Sequence, residues 1–189
     1  MPNQNTLAIS AYPSHVLNAL ALFGICISLI VAFYFQIFLG EIPCPLCMMQ
    51  RVGLMMVGFG FFLNVRFGPS ALHYAIIIFS AMAGAFASVR QVALHIVPGT
   101  GGFGSTVFGL HMYTWGLASF MATVAFVAVM LVVDRNRLSE RTANVGTWIS
   151  RSLGTLLLAL GIGNVVSDLL VCGFAICSGD PEGYKLLPW

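Results

Sequence analysis

The stretch Val16–Leu39, VLNALALFGICISLIVAFYFQIFL, decides the fold. It contains no Asp, Glu, Lys or Arg. A helix crosses the hydrocarbon core with about 20 mostly apolar residues, because a helix satisfies its own backbone hydrogen bonds. Four more apolar runs lie beyond it. They extend from about Met48 to Val65, with Arg51 near the start, and from about Ala71 to Val97, with Arg90 near the end. The run from Met112 to Val133 is free of charge, and the run from Trp148 to Ile176 contains Asp168. The whole chain agrees with this reading. Its 189 residues are 59% hydrophobic and 7% charged, where soluble proteins carry about 25% charged residues. The mean hydropathy is +0.94. A soluble domain cannot bury that much apolar surface, and a disordered chain is polar. The net charge of +2, with no basic stripe, argues against nucleic-acid binding. The expected fold is all-α, an integral membrane helical bundle of four closely spaced helices and a fifth.

Short connections join the runs, and arginine placement orients them. Arg66, Arg135, Arg137, Arg141 and Arg151 fall on one side, and Arg51, Arg90 and Lys185 toward the other. The positive-inside rule makes the first side cytoplasmic, with the N-terminus inside and the C-terminus outside. The first run has no basic leader and is longer than a signal core, so it reads as a retained span. Small residues at spacing four, Ser80, Gly84 and Ser88, and then Ala159 and Gly163, read as close-packing faces. Tyr113, Trp115 and Trp148 read as interfacial anchors toward the lipid.

Of the five cysteines, Cys26 lies mid-span and reads as a small buried apolar residue. The other four fall on the outer side as two pairs, Cys44 with Cys47 and Cys172 with Cys177. The first pair sits in Pro43-Cys44-Pro45-Leu46-Cys47-Met48-Met49-Gln50-Arg51. Cys44 precedes a proline and is pushed into extended geometry. Pro45 suits the first helical position. Cys47 then falls in the first turn, where unpaired N–H groups and the helix dipole stabilise a thiolate. Arg51 is four residues on and shares that face. Cys44 is expected to be the exposed sulfur that exchanges with a partner, and Cys47 the sulfur that faces the membrane interface. Redox exchange, a structural disulfide, and soft-metal binding with Met48, Met49, Met55 and Met56 all suit the motif. For Arg51 the choice lies between thiolate stabilisation and snorkelling to the headgroups.

The run from Pro43 through Cys47 to Gln50-Arg51 resembles the DsbB family of bacterial disulfide-bond-forming membrane proteins. Arg90-Gln91 to His95 and Pro98 is a second match, and Gly109-Leu110-His111-Met112 through Trp115 is a third. The resemblance covers residues 15 to 135. It implies a four-helix core over residues 1–135; beyond that pattern, the apolar runs and the arginines place a cytoplasmic loop, a fifth transmembrane helix and a short outer tail over residues 136–189. It implies a quinone-linked thiol oxidase of the bacterial inner membrane. Such proteins take electrons from a periplasmic thioredoxin-like dithiol oxidase and pass them to ubiquinone or menaquinone. Carried over by position, Cys44 exchanges disulfides and Cys47 meets the quinone as a thiolate. Arg51 stabilises that thiolate and the reduced ring. Arg90, His95 and His111 are further candidates for quinone contact.

The family's second cysteine pair lies in the loop between spans three and four, and His95–His111 has none here. Cys172 and Cys177 come after the fifth span instead. In a continuous helix their Cα atoms would be roughly 8 Å apart, from the 1.5 Å rise. A disulfide needs them within about 7 Å. If they are bonded, the helix stops near Cys172, and Gly173 permits it. The pair reads either as a relay replacing the loop cysteines or as a staple without electron traffic. Asp168 shares a helix face with Cys172 and Asn164. Intramembrane charges pair, so Asp168 is expected near Arg51 or Arg90. Pairing with Arg90 would leave Arg51 free for the thiolate. The expected function is membrane thiol:quinone oxidoreduction that generates disulfides. The alternative is a soft-metal-binding or non-catalytic protein in which the Cys44–Cys47 pair is structural.

Overall fold

The computed structural model describes residues 12–97, 99, 101–135, 147–174, 177 and 183–186. Its helices are α1 (Tyr12–Phe38), α2 (Pro45–Phe67), α3 (Ala71–His95), α4 (Met112–Asp134) and α5 (Thr147–Cys172). All five are long and apolar enough to cross a membrane. The chain is thus an all-α, multi-pass membrane bundle. Arg137, Arg141 and Pro98 lie outside the described residues.

Helix α2 is the centre of the bundle. It packs against α1, α3 and α5, while α4 packs on α3 and α5 also touches α1. Half of the most apolar window of α2 is buried inside the protein, against 22% to 33% for the others. This explains its lower apolar content: α2 faces protein on most sides and can carry Gln50, Arg51 and Asn64 inward. Gly53 and Gly84 let α2 and α3 meet backbone to backbone. A Cβ built on Gly53 would stand 3.0 Å from the Gly84 Cα, and one on Gly84 would collide with the Phe120 ring of α4. The expected small-residue face of α3 is therefore a seat for Phe120. Leu22, Leu29, Val57, Phe61, Ile77 and Val127 continue the core from α1 to α4.

The connection between α3 and α4 departs from a plain glycine-rich loop. Thr106–Val107 (β1) pairs antiparallel with Leu110–His111 (β2), with Thr106 opposite His111 and Val107 opposite Leu110. Phe108 and Gly109 form the turn at positive φ, 51° and 78°.

At the end of the bundle away from the cysteines, a polar cluster joins four helices. Asp134, fully buried at the end of α4, accepts from the hydroxyls of Ser14 (α1) and Tyr74 (α3, 2.6 Å). Asn18 Nδ2 donates to the Tyr74 hydroxyl at 3.1 Å, and its Oδ1 accepts from Asn64 Nδ2 of α2 at 2.9 Å. In the sequence Asp134 is only the edge of a loop. In the fold it is the acceptor on which α1, α3 and α4 converge. Removing it would take the acceptor from two buried hydroxyl donors, each at a cost of about 1–3 kcal/mol. Asp134→Ala is therefore expected to lower the unfolding midpoint in detergent, and Tyr74→Phe to lower it less. Wild-type midpoints for both would show that the cluster does not tie the helix ends.

Candidate active site

The first turn of α2 forms as the proline spacing requires. Cys44 is the N-cap, extended at φ −70° and ψ 162°, with Pro45 in the first turn. Its carbonyl accepts from Met48 N–H at 3.0 Å, and its sulfur accepts from Cys47 N–H at 3.2 Å. This folds the Cys44 side chain back over the helix start and brings the two sulfurs to 2.7 Å.

One expectation is corrected here. Cys44, expected to be the exposed sulfur, is only 4% exposed, while Cys47 is half-buried. The cause is the capping geometry together with Gln91 of α3, a buried residue to which the sequence assigns no role. Gln91 Nε2 donates to the sulfurs of Cys44 at 3.3 Å and Cys47 at 3.4 Å. Its Oε1 accepts from Gln50 Nε2 at 2.6 Å and also faces the Cys47 sulfur at 3.7 Å, so the whole amide lies against the pair. The Cys44 thiol is pushed well above the usual cysteine range, first by its hydrogen bond to the Cys47 sulfur and then by burial.

Arg51 lies one turn further along α2 and is 7% exposed. Its Nη1 donates to Gln36 Oε1 of α1 at 2.6 Å and its Nη2 to the Ala32 carbonyl at 2.9 Å. Its guanidinium sits 5.2 Å from the centre of the Phe33 ring. Of the two candidate arginines, Arg51 is on the helix that packs against α5, which carries Asp168. Arg51 and Asp168 share no hydrogen bond: Asp168 Oδ2 accepts from Asn164 at 3.3 Å, and Oδ1 is buried without a partner. The expected preference for Arg90 is not met, because Arg90 is exposed. Successive helical positions point about 100° apart, so turning Gln91 toward the sulfurs turns Arg90 outward.

A cavity of about 500 Å³ opens between α1, α2 and α4. Cys47, Gln50 and Arg51 form its polar wall. Ile27, Val31 and Phe35 of α1 face them, and Val107 and Phe108 of the hairpin lie over one end. Glu41 Oε1 accepts from Ser105 N–H at 2.8 Å, and Trp115 Nε1 donates to the Val107 carbonyl at 2.9 Å. These bonds tie the hairpin to the rim. Tyr113 lines the cavity, and its ring stacks with His95 at 5.4 Å and His111 at 5.2 Å. Both histidines thus stand beside a lining residue. Gly116 of α4 leaves room for the Gln50 amide, since a Cβ there would be 2.9 Å from Gln50 Oε1.

The second pair is bonded. Cys172 and Cys177 form a disulfide with Cα atoms 5.0 Å apart. The helix ends at Cys172, as that bond demands, with Gly173 at φ 67°. Cys172 Sγ lies 3.7 Å from Met48 Sδ. Cys26 is fully buried in the core.

The sequences of known proteins point the same way. The family model described as "Disulfide bond formation protein DsbB" matches residues 14–103. "Disulfide bond formation protein B" of Pseudomonas syringae pv. tomato is 33% identical over 154 residues, covering 62% of this chain and 90% of that protein. "Disulfide bond formation protein B 1" of Pseudomonas putida is 32% identical over 147 residues, covering 60% and 86%. No solved structure matches the chain. With relatives covered almost end to end and the matched stretch holding the cysteine pair and Arg51, the chain belongs to the DsbB family of disulfide bond formation membrane proteins.

Proposed function

We propose that this protein is a thiol:quinone oxidoreductase that uses Cys44–Cys47 to generate disulfides for a thioredoxin-like dithiol partner. The observation that carries this reading is the shared wall: Cys47 and Arg51 line one apolar cavity, and the second sulfur of the pair stands 2.7 Å from Cys47. The cavity fits a quinone ring in chemistry: its walls are mainly apolar, and Gln50 and Arg51 are among the few donors that line them. Bound there, ubiquinone or menaquinone would supply the two-electron acceptor.

On the donor side, a partner thiolate attacks the Cys44 sulfur of the Cys44–Cys47 disulfide, and Cys47 leaves as thiolate. The second partner thiol then displaces Cys44, so the partner's disulfide forms and the pair holds two electrons. Cys44 is buried in the present arrangement, so the donor has to displace the Gln91 cover to reach it. On the acceptor side, Cys44 and Cys47 would rejoin as a disulfide, giving up two electrons and the Cys44 proton; a quinone held by Cys47, Gln50 and Arg51 would supply the acceptor, with the second proton drawn from water. Gln91 and Arg51 hold the Cys47 thiolate, and Arg51 and Gln50 face the end of the cavity where negative charge grows. Preorganised donors at such a place are worth about 10²–10³ in rate.

The positive-inside pattern supports an inner-membrane protein with the cysteine pairs on the periplasmic side. Arg66, Arg135 and Arg151 mark the ends of α2 and α4 and the start of α5, away from the cysteines.

Three outcomes test this reading. Reduced protein mixed anaerobically with a short-chain quinone is expected to form one quinol per Cys44–Cys47 dithiol lost, with Cys47→Ser inactive. Thiols that persist in the wild type would reject the reading. Arg51→Leu is expected to lower quinone turnover about a hundredfold and Gln91→Leu about tenfold. Wild-type rates for either would remove its role. In the reduced protein, Cys44 is expected to stay protonated at neutral pH. Its alkylation should become fast only in alkaline solution, because a raised pKa keeps the thiol form over a wider range. Capture at neutral pH as fast as a free cysteine would contradict this.

A further inference from the structure

The guanidinium of Arg51 is set by residues far from its own helix. Gln36 Oε1 accepts from Arg51, and Gln36 Nε2 donates to Ser167 Oγ of α5 at 2.7 Å and to the Tyr184 hydroxyl at 3.3 Å. Gln36 and Ser167 are both buried. An amide carries an acceptor at one end and donors at the other. Arg51 has only donors, so it draws the Gln36 oxygen toward itself, and the amide nitrogen is left to be held by the two hydroxyls.

Tyr184 belongs to the segment after the second cysteine pair. Residues 183–186 lie beside α5, with Leu186 N–H donating to the Leu170 carbonyl at 3.2 Å. Helix α5 ends in a turn at Gly173, whose N–H donates to the Leu169 carbonyl at 2.8 Å. The Cys172–Cys177 bond closes across this turn. A covalent loop raises the effective concentration of the adjoining segment at the surface it must reach. Cys172 itself meets α2 at the Met48 thioether, a group that cannot take part in disulfide exchange.

We propose that the Cys172–Cys177 disulfide is a positioning staple: it seats Tyr184 on Gln36, and Gln36 holds the Arg51 guanidinium at the cavity beside Cys47. The inference rests on the thiol:quinone reading. In this role the second pair carries no electrons. Tyr184, Ser167 and Gln36 are positioning residues that act through Arg51, and the quinone step depends on the second disulfide being closed.

The test compares full-length wild type, Tyr184→Phe, the Cys172→Ser/Cys177→Ser double variant and the triple variant. Dithiothreitol is the donor and a short-chain quinone the acceptor. The donor level is one at which thiol alkylation shows the wild-type Cys172–Cys177 bond still closed. Tyr184→Phe and the double variant are each expected to raise the quinone KM about three- to tenfold with donor dependence unchanged. The triple variant should be no worse than the double, because both changes break one chain of contacts. A wild-type quinone KM in Tyr184→Phe overturns the inference, whether or not the cysteine variant folds. A double variant slowed in donor oxidation at unchanged quinone KM overturns it too, since that is how a relay behaves. A wild type that forms no quinol removes the thiol:quinone reading itself, and this inference with it.

Discussion

A guanidinium held inside a membrane-spanning bundle must find acceptors from the protein, because hydrocarbon offers none. Arg51 meets that constraint with the Gln36 amide, the Ala32 carbonyl and the face of Phe33. Insertion scales place the cost of a charged side chain at the bilayer centre at about 2.5–3.5 kcal/mol, less toward the interface. Much of the upper half of the molecule is arranged around that residue. α1 brings the acceptors, α5 orients Gln36, and the first turn of α2 brings Cys47 to the same cavity wall. The far end is organised differently. There the buried carboxylate of Asp134 is met by hydroxyl donors, and the result is a clasp of helix ends.

The sulfur pair is shaped by the same economy of local geometry. An N-cap cysteine before proline has to turn its side chain toward the first-turn N–H groups. That places Cys44 over Cys47 and beneath Gln91, so the two sulfurs differ in surroundings although three residues apart. Cys47 faces the cavity, and Cys44 is closed off by an amide that Gln50 also bonds. A pair arranged in this way separates an acceptor-facing sulfur from one that a donor must uncover.

Much of this was legible in the sequence. The charge-free runs became α1 and α4 within a few residues, and Pro45 marked the start of α2. The apolar run alone continues to Ile176, and α5 ends at Cys172, where the sequence puts the stop if Cys172 and Cys177 are bonded. What escaped was set by tertiary packing. Periodicity says that Gln36, Gln50 and Gln91 lie in spans, but not that the three amides gather from three helices around Arg51 and the sulfurs. Their presence in apolar runs was the available signal, since a polar group at membrane depth needs a partner. Arg90 stood out by its charge, yet its neighbour Gln91 faces the site. The burial of Cys44 and the hairpin over the cavity depend on contacts between distant segments, among them Glu41 with Ser105.

The central claim is that a quinone binds between α1, α2 and α4, against Cys47 and Arg51. Photolabelling with an azido-quinone, with peptide mapping of the product, tests it most directly. Label is expected on the α1 segment Ile27–Phe35 and the α4 segment Met112–Ser119, displaced by excess unmodified quinone and lost in Arg51→Leu. Displaceable label confined to the outward faces of α3 and α5, with the cavity segments unlabelled, would contradict it.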